Sequence, residues 1–371
     1  MYTKLKTLKI SWLALVLFAA ISFACRQQSI FRATIPGVQL PAWSPDGKQI
    51  AFINCPGHDA LDDPCSVYIS SVEDGHLHSV TDEPVITQDK IPPRWMPDGQ
   101  SISFFTYDLS GLENSPVYWL SLSYLDGSGF RQIDSIWDGI AISPDGTHYA
   151  WTRNCEDCAD YGLNVKDIDA EKGQVNYYAP DPSLPVWSTD GKRLAYRGWS
   201  DESQDYGIYL LDLNSGEPFR LVDHQEKTPA VWSPDGTKIA FASTRGGDWA
   251  VYIIDVPEDI QSGDVVEVRL LTNHAAMFAT SPAWSPDGER IAFVAEIDGN
   301  FDIYLINQDG SDLTRLTHSL SPDHSPIWSP DGSQIAFVSY QGNPTRDIYI
   351  IDSDGTNLIR LTNFVDLGSP P

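Results

Sequence analysis

The sequence predicts an all-β fold, a seven-bladed β-propeller made of four-stranded antiparallel blades. The first observation is the pentapeptide WSPDG, which begins at Trp43, Trp232, Trp284 and Trp328, with near copies beginning at Trp95, Ile142 and Trp187. The second is the spacing of these seven copies, 44 to 52 residues, which is the length of one propeller blade. The third is that no amphipathic helical pattern follows the N-terminal segment, which disfavours helical and α/β folds.

Each repeat predicts four strands in order. The copy AWSPDGERIAFVAEIDGNFDIYLINQDGSDLTRLT, from Ala283, contains a short strand ending at Trp284, a Ser-Pro-Asp-Gly turn, strands IAFV and DIYLI joined by a loop, a second Asp-Gly turn, and a last strand RLT. In the first turn, Pro presets the backbone, Asp accepts a bond from a nearby amide and Gly adopts the left-handed conformation. We therefore interpret the seven turns as structural corners rather than active sites. Their aspartates are Asp46, Asp98, Asp145, Asp190, Asp235, Asp287 and Asp331.

The predicted third strands are apolar on both faces, as in IYLLD from Ile208 and VYIID from Val251. Such strands suit sheets that lie between two neighbouring sheets. Radial stacking of blades gives every sheet two neighbours, which favours a propeller over a single open sheet.

The motif and its spacing resemble the TolB-like family of β-propeller repeats, whose signature is the Trp-Ser-Pro-Asp-Gly turn followed by Ile-Ala-Phe and a closing Leu-Thr. The resemblance extends from about Pro41 to Thr362 and implies a propeller in an extracytoplasmic compartment. TolB itself carries an α/β domain before six blades, whereas here seven motifs follow a short segment, so its envelope role is not transferred. We expect a propeller over 41–362, a linker or closing strand over 26–40, to which Phe31 to Ile35 could contribute, and a tail over 363–371.

The N-terminal segment has the layout of an export signal. Lys4, Lys6 and Lys9 precede an apolar run from Ile10 to Ala24, which is short for a membrane span. Ser22-Phe23-Ala24 suits ordinary cleavage, and the same residues before Cys25 resemble a bacterial lipobox. We expect a signal peptide over 1–25 with lipidation of Cys25, the alternatives being secretion or a retained anchor.

The overall charge restricts the class of partner. Twenty-four Lys and Arg against 51 Asp and Glu give a net charge of -27. Such a field repels phosphate backbones and anionic headgroups, so we expect no nucleic acid and no membrane contact beyond a lipid anchor.

The long connections of the repeat are predicted to share one face of the ring, opposite the tight turns, and loops on a rigid scaffold commonly bind. Acidic and aromatic residues in these loops predict a binding face for a basic protein surface or a cationic ligand; alternatively, the acids only solvate exposed loops. No loop has the spacing of a dedicated calcium site. The candidate residues are Asp62, Asp63, Glu156, Asp157, Asp160, Trp199, Asp201, Asp205, Trp249 and Asp298.

Four further cysteines form two local pairs, Cys55 with Cys65 and Cys155 with Cys158. Export favours disulfides over thiols. A redox CxxC normally opens a helix, which this sequence does not predict, and a four-cysteine zinc site would have to reach across a blade. We therefore predict two disulfides.

Three histidines are the best argument for an enzyme. His224, His274 and His318 each follow the last strand of a blade, which resembles oligogalacturonate lyase, a seven-bladed family with three channel histidines and a glutamine around a divalent cation. Only two of the three positions align, and the negative charge disfavours acidic polysaccharides, so we read them as polar loop residues without a metal or other cofactor. No G-x-S-x-G, phosphate loop or H-E-x-x-H motif is present.

These observations predict a non-catalytic, extracytoplasmic propeller lipoprotein, a monomer that binds a protein of the cell envelope through its acidic loops. The alternative is a metal-dependent carbohydrate-active enzyme that uses the three histidines.

Overall fold

A computed structural model shows a seven-bladed propeller and confirms the predicted fold class. The structure describes residues 37–55, 65–80, 92–108, 117–136, 138–153, 161–170, 173–223, 228–258, 266–272, 278–297, 299–341 and 346–363. Within these ranges every sheet consists of four consecutive antiparallel strands. No helix there has the length and apolar character needed to cross a bilayer.

The strands follow the predicted order in every blade. Blade 1 has β1 (Gly37–Trp43), β2 (Gln49–Cys55), β3 (Ser66–Ser71) and β4 (Leu77–Ser79). Blade 2 has β5 (Arg94–Trp95), β6 (Ser101–Asp108), β7 (Val117–Tyr124) and β8 (Gly129–Ile136). Blade 3 has β9 (Asp138–Ile142), β10 (His148–Arg153), β11 (Gly162–Asp167) and β12 (Val175–Tyr177). Blade 4 has β13 (Ser183–Trp187), β14 (Arg193–Ser200), β15 (Asp205–Asp212) and β16 (Pro218–Asp223).

The last three blades contain the best copies of the repeat. Blade 5 has β17 (Val231–Trp232), β18 (Lys238–Ser243), β19 (Ala250–Asp255) and β20 (Val268–Leu270). Blade 6 has β21 (Phe278–Trp284), β22 (Arg290–Ile297), β23 (Asn300–Asn307) and β24 (Thr314–Arg315). Blade 7 has β25 (Asp323–Trp328), β26 (Gln334–Ser339), β27 (Asp347–Asp352) and β28 (Ile359–Arg360).

The core lies between the blades. Among the described residues, seven apolar clusters each combine side chains from two adjacent blades. At the junction of blades 6 and 7, for example, Val294 and Ile303 pack with Phe337, and all three are almost fully buried. This explains the apolar character of both strand faces, since each sheet is covered on both sides.

The repeated tryptophan joins each blade to the one before it. Trp95 Nε1 donates a hydrogen bond of 3.0 Å to the carbonyl oxygen of Ala42, and Trp328 Nε1 donates one of 3.1 Å to that of Ala283. The same contact recurs for Trp43, Trp187, Trp232 and Trp284. Each bond occupies a backbone carbonyl at an inter-blade junction. Blade 3 has Ile142 at this position and therefore lacks the donor.

The ring closes by packing of blade 1 on blade 7. Blade 7 contains four strands of its own, β25 to β28, and β1 is the first strand of blade 1. Ile50 and Phe52 contact Ala336, Ile348 and Ile350 across the closure. β1 begins at Gly37, within the segment 26–40 for which we expected a linker or a closing strand. Phe31 to Ile35 lie outside the described residues.

Candidate functional site

The repeated turns use their acidic residues internally. In blade 1, Ser44 Oγ donates to Asp46 Oδ1 at 2.7 Å, and the amide of Lys48 donates to the same oxygen at 3.1 Å. Ser44 Oγ also accepts the amide of Gln49 at 2.9 Å. The serine hydrogen bond, followed by the Lys48 amide, lowers the pKa of Asp46. The Asp46 carboxylate therefore stabilises the turn through hydrogen bonds within it.

The same arrangement recurs around the ring. Serine donates to aspartate in five further turns, at Asp145, Asp190, Asp235, Asp287 and Asp331. In blade 2 Met96 replaces the serine, and Asp98 accepts the amide of Gln100 at 2.8 Å. These seven turns share one side of the ring, which we call the turn face.

The opposite side, the loop face, carries the connection between the second and third strands of each blade and the connections between blades. Several residues predicted to bind there lie outside the described residues: Asp62, Asp63, Glu156, Asp157, Asp160 and Asp298. The same holds for Cys25, Cys155, Cys158, His224 and His274. The remaining candidates, Trp199, Asp201, Asp205, Trp249 and His318, are described.

Trp199 of blade 4 belongs to an aromatic and charged group. Its ring meets that of Tyr206 edge to face at 4.9 Å, and its Nε1 donates to Asp201 Oδ1 at 3.2 Å. The guanidinium of Arg197 lies 3.4 Å from the centre of the Tyr206 ring, whose hydroxyl donates to Asp181. Trp199 is therefore held at the loop face by neighbouring side chains.

Asp205 differs from Asp201 because it is neutralised within the protein. Arg220 Nη2 lies 2.5 Å from its Oδ1. The hydroxyl of Ser203 and then the guanidinium of Arg220 lower the pKa of Asp205. Asp201 is exposed and accepts only the neutral indole of Trp199 among its described side-chain contacts. Of these two acids, Asp201 is the one free to attract a cation.

Trp249 belongs to a row of rings that crosses three blades, which we call the aromatic arc. It consists of Trp249 of blade 5, Phe278 and Phe301 of blade 6, and His324 of blade 7. Successive ring centres lie 5.6, 5.9 and 5.8 Å apart. Phe278 is 37% exposed, although it is a large apolar side chain. Sequence reasoning identified only Trp249, because the other rings lie at ordinary strand starts in other repeats.

Blade 3 adds a further exposed aromatic side chain to the loop face. Tyr178 is 69% exposed, and its ring centre lies 6.3 Å from that of Tyr161. The hydroxyl of Tyr161 accepts the amide of Asp181 at 3.1 Å, which connects blade 3 to the start of blade 4. Aromatic side chains therefore line the loop face from blade 3 to blade 7.

Of the three candidate metal-binding histidines, His318 is the one within the described residues, and it lies at a cleft. His318 is exposed and lines a cleft of about 450 Å³ between blades 6 and 7, together with Arg290, Asn307 and Asp354. Within the described ranges, no group of three or more His, Cys, Asp or Glu side chains is arranged to hold a metal ion.

Cys55 and Cys65 form a disulfide, with their Cα atoms 4.2 Å apart. Both residues are 1% exposed and pack in the cluster between blades 1 and 2. Disulfides of this kind persist in oxidising compartments.

The comparisons with known proteins agree with this architecture. Residues 258–367 match the TolB beta propeller domain family. A segment of 62 residues is 42% identical to the uncharacterized peptidase YuxL of Bacillus subtilis, and covers 17% of this chain but only 8% of that peptidase.

Two solved structures share the fold at low sequence identity. The β-propeller domain of the Trilobed protease from Pyrococcus furiosus, described as having an open velcro topology, is 12% identical with a TM-score of 0.63, covering 90% of this chain and 98% of that one. Oligogalacturonate lyase in complex with manganese is 15% identical with a TM-score of 0.60, covering 85% and 89%. At these identities the likeness establishes the propeller and leaves the chemistry open.

Proposed function

We propose that the chain, whose residues 258–367 match the TolB beta propeller domain family, is a non-catalytic, extracytoplasmic scaffold that binds a protein through its loop face. The observation that carries the proposal is the line of aromatic side chains on that face, from Tyr178 in blade 3 to the aromatic arc in blades 5 to 7. Aromatic residues dominate the energetics of protein interfaces, because each brings a large area at a small entropic cost.

The rigidity of the ring supports this role. Apolar packing holds each blade against its neighbours, and the tryptophan hydrogen bonds connect successive blades. A surface on such a scaffold is already ordered before it binds, so that less conformational entropy is lost on association.

The charge of the chain supports a basic partner. At a net charge of -27, long-range attraction accelerates encounters with cationic surfaces. The turn aspartates are bonded within their corners, whereas Asp201 on the loop face is exposed beside Trp199. The loop face therefore combines aromatic area with available negative charge.

Capture from solubilised membranes tests the proposal. The full chain is immobilised, and we expect it to retain one protein in stoichiometric amount, with retention lost in the Tyr178→Ala/Trp199→Ala double variant. The matched control is Tyr124→Ala, because Tyr124 is also an exposed aromatic residue, 37% exposed, but lies at the turn face. Equal retention by all three proteins would rule out the loop face as the binding surface.

The compartment and the oligomeric state belong to the same proposal. The Cys55–Cys65 disulfide supports export, and the signal-like segment with Cys25 supports a lipid anchor. We further propose that the anchored protein is a monomer. The mass of the mature N-terminal peptide tests the anchor, since a lipidated Cys25 carries acyl chains that simple cleavage does not add. Light scattering of the solubilised protein tests the monomer.

The alternative function is a metal-dependent carbohydrate-active enzyme. The position of His318 at a cleft between blades 6 and 7 supports it. The fold shared with oligogalacturonate lyase in complex with manganese is compatible with this function, although it shows the propeller alone. Metal analysis distinguishes the two functions. A stoichiometric divalent ion that is lost in a His224→Ala/His274→Ala/His318→Ala variant, together with polysaccharide cleavage, would favour the enzyme.

A further inference from the structure

Blade 6 places Glu296 on the strand between two residues of the aromatic arc, Phe278 and Phe301. Phe278 pairs in register with Glu296, and Glu296 pairs in register with Phe301. Directly paired residues of adjacent strands project their side chains from the same face of a sheet. The three side chains therefore form a row, aromatic, acidic and aromatic, on the face of blade 6 that looks toward blade 7.

A second acidic residue, Asp248, lies in the blade 5 loop that carries Trp249. Asp248 is exposed and immediately precedes Trp249, whose carbonyl oxygen accepts the amide of Ala279 at 2.9 Å. This hydrogen bond fixes the end of the blade 5 loop beside the start of β21. Neither Asp248 nor Glu296 forms a side-chain hydrogen bond or ion pair with any described part of the chain.

The chain's own arginine in this loop has another partner. The guanidinium of Arg245 lies over the ring of Tyr252, at 5.6 Å. Among the described residues, no cationic side chain pairs with Asp248 or Glu296, so both acids can accept a cation from outside.

The geometry distinguishes between ligand classes. Neighbouring ring planes are inclined by 48° between Trp249 and Phe278 and by 87° between Phe278 and Phe301. A sugar stacks best on a flat aromatic platform, whereas these rings are inclined to one another and Glu296 lies on the strand between Phe278 and Phe301. A planar guanidinium can stack on one ring and bond a carboxylate through its edge.

We propose that Trp249, Phe278, Phe301 and Glu296, with Asp248, form a receptor for an arginine side chain on a basic segment of the protein partner. The proposal rests on the loop-face function proposed above and identifies the chemistry that the partner presents. Arginine is preferred to lysine because its delocalised charge is weakly hydrated and its planar fork matches a carboxylate.

A direct binding measurement tests the receptor without knowledge of the partner. The probe is the peptide acetyl-Gly-Arg-Gly-Arg-Gly-amide, and its matched control carries citrulline, a neutral isostere, at both arginine positions. The folded chain is labelled with ¹⁵N-tryptophan, and the Trp249 indole signal is assigned by its loss in Trp249→Phe. We expect the arginine peptide to shift that signal and the citrulline peptide to bind at least about tenfold more weakly, as expected when charge-assisted bonds are lost.

Two variants separate the acid from the ring. Glu296→Gln keeps the shape of the side chain and should weaken arginine-peptide binding about fivefold or more, and Phe278→Ala should do the same through loss of stacking. Glu217→Gln, at an exposed acid of the turn face, should leave binding unchanged. Far-ultraviolet circular dichroism and thermal unfolding of each variant show that the ring remains folded.

The outcomes are distinct for the two proposals. Equal binding of the arginine and citrulline peptides, or equal binding by Glu296→Gln, overturns the arginine receptor. A shift of Trp249 by maltohexaose and none by the arginine peptide would assign the cluster to carbohydrate instead. If Glu296→Gln and Phe278→Ala still capture the protein partner but Tyr178→Ala/Trp199→Ala does not, the scaffold function is supported and the arginine receptor is not. If the arginine peptide binds at Trp249 but no protein is captured, the arginine receptor is supported and the protein-binding scaffold is not.

Discussion

The indole Nε1 of Trp43 donates a hydrogen bond of 3.3 Å to the carbonyl oxygen of Ile327, 284 positions later in the chain. This contact repeats, between the first and last blades, the bond that joins blades 1 and 2 through Trp95 and Ala42. The closing junction thus has the same polar contact as junctions between consecutive blades, although its two blades are not consecutive in sequence.

We expect Trp43→Phe to weaken this closure. The substitution removes the donor while retaining an aromatic ring, and loss of one such bond lowers the free energy of unfolding by about 1 kcal/mol. Urea denaturation measures the change, and amide hydrogen exchange should increase in β1 and β25. Trp284→Phe, which removes the same bond between consecutive blades 5 and 6, is the control; identical exchange patterns in the two variants would contradict a special role of Trp43 in closure.

The ion pair of Asp347 and Arg360 should behave as a coupled unit. Arg360 Nη2 lies 2.6 Å from Asp347 Oδ2, and the Asp347 side chain is only 1% exposed. Arg360→Leu should lower the free energy of unfolding by about 3 kcal/mol, because it removes the counter-charge of a buried carboxylate. Asp347→Ala/Arg360→Leu should recover all but about 1 kcal/mol of that loss.

Blade 5 supplies the reason for expecting recovery. Tyr252 in blade 5 occupies the position that Tyr349 occupies in blade 7. Tyr252 pairs with Leu270, whereas Tyr349 pairs with Arg360, so Leu270 replaces the arginine in blade 5. Two residues before the tyrosine, blade 5 has Ala250 where blade 7 has Asp347. Both charges are replaced together, and the sheet still forms. A double-mutant cycle by urea denaturation measures the coupling, and simple addition of the two single losses would disprove it.

Asp323 should make stability depend on pH. It is 1% exposed, and burial raises its pKa from 3.8 to about 6. The nearby hydroxyls of Ser339 and Thr317 oppose this rise but do not reach hydrogen-bonding geometry with its carboxylate oxygens. Because the folded pKa is the higher one, its stabilising contribution is fully present below pH 4 and is lost as pH rises through 6. Relative to wild type, Asp323→Asn should gain about 3 kcal/mol between pH 4 and pH 7.5.

Asp331 provides a control of opposite sign. The amide of Ser333 and the hydroxyl of Ser329 lower the pKa of Asp331. The stabilisation that its carboxylate provides is therefore present at neutral pH and is lost as the pH falls below the ordinary aspartate pKa of 3.8. Asp331→Asn should therefore lose stability relative to wild type as pH rises. Urea denaturation at several pH values measures both variants, and a flat difference for Asp323→Asn would contradict its titration within the fold.

The disulfide should stabilise blade 1. Cys55 and Cys65 are separated by ten positions, and closing a loop of that length in the unfolded chain stabilises the fold by about 2 to 3 kcal/mol. Cys55→Ser/Cys65→Ser should lose that amount, and dithiothreitol should lower wild-type stability by at least as much. A reductant effect that persists in the variant measures the contribution of the predicted Cys155–Cys158 bridge, whereas equal stability of the variant and the untreated wild type would contradict a stabilising Cys55–Cys65 disulfide.

The predicted strand order within each blade is confirmed because it depends on local chemistry. The Pro-Asp-Gly corner needs only its own serine and nearby amides, as Ser44 and Asp46 show. The apolar character of both faces of β19 and β27 required two neighbours for each sheet, which a ring of blades provides. These features repeat every 44 to 52 residues, so one well-preserved copy explains the others.

The candidate site was predicted only in part because its residues come from different repeats. Trp199 and Asp201 were identified because both lie in one loop beside other acids. The pairing of Asp205 with Arg220 could not be foreseen from the loop, since Arg220 lies on the next strand and turns an apparently available acid into an internal ion pair.

The sequence by itself determined the blade, its corners and the number of blades, because turn chemistry and strand pattern act within one repeat. Only the tertiary structure decided how the ring closes at Trp43 and Ile327, and which rings meet Trp249. Both depend on the angle at which successive sheets stack. Packing of whole blades sets that angle, which no single repeat encodes.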